Sequence, residues 1–182
     1  MGENMYFMKL VGKKCYLSPI DINDAVKFAE WHNDMDIIVN NYYHATAFSL
    51  ETAIEDYELK SKRHVYSIVD LETDELLGYC DLSDIDNLNQ TAKCGICIGN
   101  KTYWNNGYGT EALYLLIDYG FRALNLHNII IDVYEYNKGA IKCYEKIGFK
   151  KIGIRREALQ RDLKRHDIVF MDLIPNEFYK KE

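Results

Sequence analysis

Two glycines, Gly107 and Gly109, lie where a strand-like run ends and a long amphipathic run begins, in Trp104-Asn105-Asn106-Gly107-Tyr108-Gly109-Thr110-Glu111. That junction is the strongest constraint in the chain. Glycine admits backbone angles closed to other residues and lets another molecule approach the main chain closely. The start of the helix that follows adds unpaired N–H groups and the positive end of a dipole. Together these make an anion cradle and point to a phosphate-bearing ligand. Strand-to-helix turns also carry glycine for steric reasons alone, so the pair needs support elsewhere. Two familiar phosphate motifs do not fit. No Gly-x4-Gly-Lys-Ser/Thr run exists, and the third glycine of a dinucleotide fingerprint is replaced by Ala112.

Length and composition set the frame for that cradle. The chain has 182 residues, the size of one ordinary domain, and 48% of them are hydrophobic, enough for a sizeable core. No stretch approaches the ~20 apolar residues of a membrane span. Met1-Gly2-Glu3-Asn4-Met5-Tyr6 lacks the basic and apolar regions of a secretory signal, so a cytoplasmic location is expected. The net charge of −6 argues against nucleic acid. Asp70, Glu72, Asp74, Glu75, Asp81, Asp84 and Asp86 follow one another with no Lys or Arg between them. This is either a solvated pair of loops around one strand or a field that attracts a cation. Cys94 and Cys97 have CxxC spacing, but on a strand residues three apart face opposite ways. No second pair completes a zinc site, so no metal is expected and the cysteines read as reduced thiols.

The pattern along the chain alternates without dividing. Strands are expected at 14–18, 64–69, 76–82, 91–99, 128–134, 149–155 and 166–173. Helices are expected from Asp21 or Asn23 to about Asn33, from Leu50 to about Lys62, from Tyr108 to Asn125 and from Asn137 to Ile147. Leu113, Leu116, Ile117, Phe121 and Leu124 recur at helical spacing, and Gly148 suits the C′ position of the last helix. Residues 34–48 read as irregular. A three-strand meander amid alternating strands and helices makes the class α+β, a single domain over 1–182.

A second block supports the glycine turn: Asn137-Lys138-Gly139-Ala140-Ile141-Lys142-Cys143-Tyr144-Glu145-Lys146-Ile147-Gly148-Phe149. With the turn, it resembles the two signatures of the GCN5-related N-acetyltransferase (GNAT) superfamily, Gln/Arg-x-x-Gly-x-Gly/Ala and Asn-x-x-Ala-x-x-x-Tyr-Glu-Lys-x-Gly-Phe. The element order fits from about Lys14 to Leu173. Tyr103-Trp104 before Gly107, and the late strand His166-Asp167-Ile168-Val169-Phe170-Met171, are similar to the ribosomal-protein alanine acetyltransferase-like branch. Trp104 stands where the signature has Gln or Arg, and Asn105-Asn106 stand where Gly-Lys is more frequent.

The resemblance implies a fold with a mixed central sheet of six to seven strands, splayed like a V and flanked by about four helices. It implies acetyl-CoA as co-substrate, with no metal, and direct transfer of acetyl to a primary amine. The acceptor is a protein N-terminus, a polyamine, an amino sugar or another small amine; a homodimer is a further expectation. The backbone of Trp104, Asn105, Asn106, Gly107, Tyr108, Gly109 and Thr110 is expected to hold the pyrophosphate. Cys97, Ile98 and Gly99 are expected to pair with the pantetheine, and Asn137 to contact it. Tyr144 matches the family's general acid, and a phenol with an ordinary pKa near 10 is protonated at neutral pH. The base is a carboxylate, with Glu111 and Glu135 as candidates and Asp81 as a third. Tyr42, Tyr43 and Asp81 are expected to line the acceptor site, since aromatic rings and acids suit a cationic amine. A catalytically silent acyl-CoA-binding module on the same fold is the competing expectation.

Overall fold

The computed structural model describes residues 5–60 and 64–181; the side chains of Tyr42, Tyr43 and Lys181 lie outside the described part. The strands are β1 (Leu10–Val11), β2 (Cys15–Pro19), β3 (His64–Asp70), β4 (Leu76–Asp86), β5 (Thr91–Ile98), β6 (Asn128–Tyr134), β7 (Lys150–Arg161) and β8 (Lys164–Leu173). The helices are α1 (Ala25–His32), α2 (Met35–Ile38), α3 (Leu50–Lys60), α4 (Tyr108–Arg122), α5 (Lys138–Ile147) and α6 (Pro175–Phe178). The strands form one mixed sheet in the order β1-β2-β3-β4-β5-β6-β8-β7. The count exceeds the expected six to seven because Leu10–Val11 pair with Tyr16 and Leu17 as a short edge strand. No helix of the described residues is long and apolar enough to cross a membrane.

Contacts group the chain into two compact units. The first holds Met1–Leu82 and Ile96–Leu116. Its antiparallel ladder runs from β2 through β3 to β4, with Cys15 opposite Asp70 and Val65 opposite Asp81. Leu17, Ile68, Leu77, Leu113 and Leu116 are fully buried there, each contributing roughly 1.5–3 kcal/mol. Asp21 takes a hydrogen bond from the Asn23 N–H (2.9 Å) and starts the turn that leads into α1. Ser49 does the same for α3 through the Thr52 N–H (3.0 Å). Residues 34–48, expected to be irregular, contain α2 and a 3-10 turn over Tyr42–Ala45.

The second unit holds Ser83–Gly95 and Ile117–Glu182. Its core packs Ile117, Ile129, Ile131, Met171, Leu173 and Phe178. The parallel pair of β5 and β6 is registered only from Thr91–Lys93 to Asn128–Ile130, while β5 itself continues to Ile98. Lys93 pairs with the buried Asp132 at 2.5 Å. The two closing strands are longer than the sequence pattern indicates. β7 and β8 make one hairpin whose turn, Asp162-Leu163, has positive φ at both residues (47° and 62°). Gly148, with φ 130°, ends α5 while its N–H and that of Phe149 donate to the Tyr144 carbonyl.

Candidate active site

The glycine turn lies wholly in the first unit. A 3-10 turn over Lys101–Tyr103, capped by the Asn100 side chain, carries the chain from β5 into Trp104. The Trp104 indole N–H donates to the Ile98 carbonyl at 2.8 Å. An aromatic residue in place of Gln or Arg therefore ties the turn back to the strand that precedes it. Asn105 and Gly107 have positive φ (62° and 88°), and α4 begins at Tyr108.

The steric explanation of the two glycines can be tested directly. A Cβ on Gly107 meets nothing closer than Lys14 Nζ at 3.9 Å, and one on Gly109 nothing closer than Ile98 Cγ1 at 3.6 Å. The conformation explains Gly107. Gly109 is the second residue of α4, and no neighbour requires it. A side chain is thus absent from this face of the first turn without a steric reason inside the chain. Gly99 is different: a Cβ there lies 2.0 Å from the Trp31 indole, and its N–H donates to the Leu77 carbonyl (2.9 Å). Gly99 is a packing glycine.

Polar groups surround the turn. The Tyr108 hydroxyl donates to Asp70 at 2.8 Å, and that bond pushes its phenol up to about 12. Asn106 donates through Nδ2 to the Thr102 carbonyl (3.2 Å), and its own carbonyl accepts from Lys14 Nζ (2.8 Å). Glu111, a candidate base, is already engaged. Its Oε1 accepts the backbone N–H of Lys13, of Lys14 (2.7 Å) and of Cys15 (3.4 Å). It fastens the turn before β2 to the first turn of α4.

β5 ends at Cys97 and Ile98. Burial pushes the Cys97 thiol up to about 12, so it is no thiolate nucleophile. Behind it is an aromatic group that sequence reading missed. His32 stacks on Phe28 (3.8 Å between centroids) and its Nε2 lies 3.2 Å from the Tyr79 hydroxyl. Lys60 Nζ sits 3.9 Å from the Phe28 ring centre, 4.9 Å from that of Tyr79 and 2.5 Å from Asp56. Burial lowers the Lys60 pKa, and Asp56 and Asp81 act against that shift. Asp81 thus contributes to the field around an ammonium. A cleft of about 850 Å³ in the same unit is lined by Tyr16, Trp31, Glu30, Asp34 and Glu75, among others. Two of its carboxylates are paired, Glu30 with Lys27 (2.8 Å) and Asp34 with Lys101 (2.7 Å).

The remaining expected residues lie in the second unit. Asn137 caps α5, its side-chain oxygen accepting the Ala140 N–H at 3.1 Å. Tyr144 is buried in α5, its ring 6.0 Å from that of Phe149. Glu135 follows β6, and its carboxylate lies 3.3 Å from His166 Nδ1. Among the described residues no group of three or more His, Cys, Asp or Glu gathers as a metal site.

In the first unit a left-handed glycine turn at the start of α4 follows directly on the end of β5. The acetyltransferase (GNAT) domain model matches residues 14–150. The chain belongs to that family and is an N-acetyltransferase. It is 29% identical to the uncharacterized N-acetyltransferase p20 of Bacillus licheniformis, over 97% of this chain and 98% of that protein. It is 36% identical to the spermidine N(1)-acetyltransferase of Escherichia coli K12, over 41% of this chain and 40% of that one. The spermidine N-acetyltransferase of Vibrio cholerae, solved with CoA and spermine, superposes with a TM-score of 0.80 at 21% identity, covering 92% of this chain and 99% of that one. The GNAT fold expected from the two motifs is the observed one.

Proposed function

We propose that this single-domain enzyme transfers the acetyl group of acetyl-CoA directly to a primary amine. The observation that carries the reading is Gly109, a helical glycine that nothing in the chain requires, one residue beyond the left-handed Gly107. When bound, acetyl-CoA supplies an activated acetyl thioester. Around it, the N–H groups from Asn105 to Thr110 hold the pyrophosphate, and the backbone of Cys97 and Ile98 aligns the pantetheine. N–H groups of this strand end are the donors to a developing oxyanion, and the Trp104 indole N–H, bonded to the Ile98 carbonyl, fixes that strand end. Tyr144 gives a proton to the departing sulfur. Glu135, steadied by His166, is the carboxylate that deprotonates the amine; Glu111 anchors.

Among the candidate acceptors we favour small polyamines, because the chain is similar to proteins named as spermidine acetyltransferases. Asp81 and the Tyr42–Tyr43 turn serve that acceptor. The test is thiol release from acetyl-CoA across a panel of amines, with wild type and Tyr144→Phe. The variant should lose about a hundredfold in kcat and bind acetyl-CoA as wild type does. Unchanged turnover removes Tyr144 from the chemistry. CoA binding without thiol release from any amine leaves the silent acyl-CoA module.

A further inference from the structure

The turn that would cradle a pyrophosphate carries no cation of its own: Trp104, Asn105, Asn106, Gly107, Tyr108, Gly109 and Thr110 are all uncharged. Its surroundings are acidic. Asp70 is bonded to Tyr108, Glu111 lies in the first turn of α4, and Glu75 lines the recess beside it. Backbone N–H groups offer partial charges against the two negative charges of a pyrophosphate, and nearby carboxylates weaken that attraction.

One lysine is placed to reverse the balance. Lys14 is exposed and comes from the turn before β2, far away in sequence. Its Nζ donates to the Asn106 carbonyl at 2.8 Å and sits 5.6 Å from the centre of the Tyr108 ring. It is also the group that the open face of Gly107 looks onto, 3.9 Å from the site of a Cβ. An open recess of about 550 Å³ is lined by Lys14, Glu75, Thr102, Tyr103, Asn106 and Tyr108, and Lys14 is the cation among these six. The neighbouring lysine is spent: Lys101 binds Asp34 and Asp36 (both 2.7 Å). No ion pair among the described residues takes Lys14. Its main-chain N–H is fixed by Glu111, so the lysine is tethered to the helix whose N-terminus it flanks.

We propose that Lys14 is the pyrophosphate-binding cation of this enzyme, supplied from the β1–β2 turn in place of a basic residue in the glycine turn. The inference rests on the acetyl-CoA reading above. The ammonium keeps two donors beyond its bond to Asn106. It approaches an oxygen held at Gly107 from the side where a side chain is absent.

The test is calorimetric titration of the full chain with CoA and with dephospho-CoA, which keeps the pyrophosphate and lacks the 3′-phosphate. Lys14→Ala should raise Kd about tenfold for both ligands, the scale of one lost charge-assisted contact. Lys14→Gln, which retains an amide for the Asn106 carbonyl, should lose nearly as much. Lys14→Arg should stay within about threefold of wild type. Wild-type affinity should fall more steeply with salt than that of Lys14→Ala. Thermal midpoints confirm that the variants are folded, since the Glu111 contact is to backbone. Unchanged Kd in Lys14→Ala overturns the proposal, as does a loss that vanishes with dephospho-CoA. Absence of CoA binding by the wild type would overturn the acetyl-CoA reading itself, a different result from binding that ignores Lys14.

Discussion

Lys14 and Lys60 belong to the same compact unit, yet their ammonium groups are held in opposite ways. Lys60 is closed in by the Phe28 and Tyr79 rings and paired with Asp56. Asp56 and Asp81 counter its desolvation only in part, and the rings that enclose it leave little of it open to a ligand. Lys14 is exposed and bonded to one neutral carbonyl beside a bare glycine. It has lost little hydration and meets no carboxylate among the described ion pairs. A cation satisfied internally is a structural element, whereas a cation parked on a carbonyl at a helix start keeps its attraction for an anion. The contrast is one of partners rather than of residue type.

The largest expected effect probes the sealed side. His32, fully buried on Phe28, has its pKa lowered to about 4, first by burial. In the unfolded chain it titrates near 6.5, so between those values the unfolded state binds more protons. Stability is then complete above pH 6.5 and falls as the pH drops toward 4, by roughly 3 kcal/mol in all. Denaturant midpoints across that window should show the decline, and His32→Gln should flatten it. Asp24, whose pKa burial raises, contributes with the opposite sign and is common to both proteins. A wild-type slope that survives in His32→Gln would show that the aromatic group is not the acid-labile point.

The next effect separates the two lysines directly. Asp56→Asn strips Lys60 of its carboxylate while the rings still bury it. It should cost about 2 kcal/mol, below the usual range for a broken buried pair because Asp56 keeps some solvent contact. Lys14→Ala should shift stability by less than about 0.5 kcal/mol, although it weakens CoA. If Asp56→Asn and Lys14→Ala cost the same in urea denaturation, the distinction between a structural and a ligand-binding lysine fails.

These contrasts also mark what local pattern can carry. The glycine turn, α4 and the Asn137–Phe149 block are legible because their signals are short-range: helical spacing, a cap, a positive-φ glycine. The edge strand Leu10–Val11 is too short for a propensity signal and exists through its pairing with Tyr16 and Leu17. Residues 156–161 are polar enough to read as a loop, but pairing with β8 makes them strand. Lys14 and Asn106 are 92 positions apart, so no window joins them. Lys60 looks like any lysine at a helix end until Phe28, Asp56 and Tyr79 are brought to it. Glu111 reads in sequence as a candidate base; the amides that occupy it come from β2 and the turn before it.

The smallest expected effect decides how Lys14 is held. Glu111→Ala frees the backbone N–H groups of Lys13, Lys14 and Cys15. Two of these residues are exposed, so water replaces much of the lost bonding and the stability cost should be about 1 kcal/mol. CoA affinity should fall about threefold, because the ammonium stays in place less of the time. In the Lys14→Ala background the same substitution should leave CoA affinity unchanged, since the group it positions is gone. A base would behave otherwise: kcat would collapse in Glu111→Ala, and Kd for CoA would hold in either background. The double-mutant cycle on Kd, read beside kcat, therefore separates a tether that acts through Lys14 from a carboxylate that takes the proton itself.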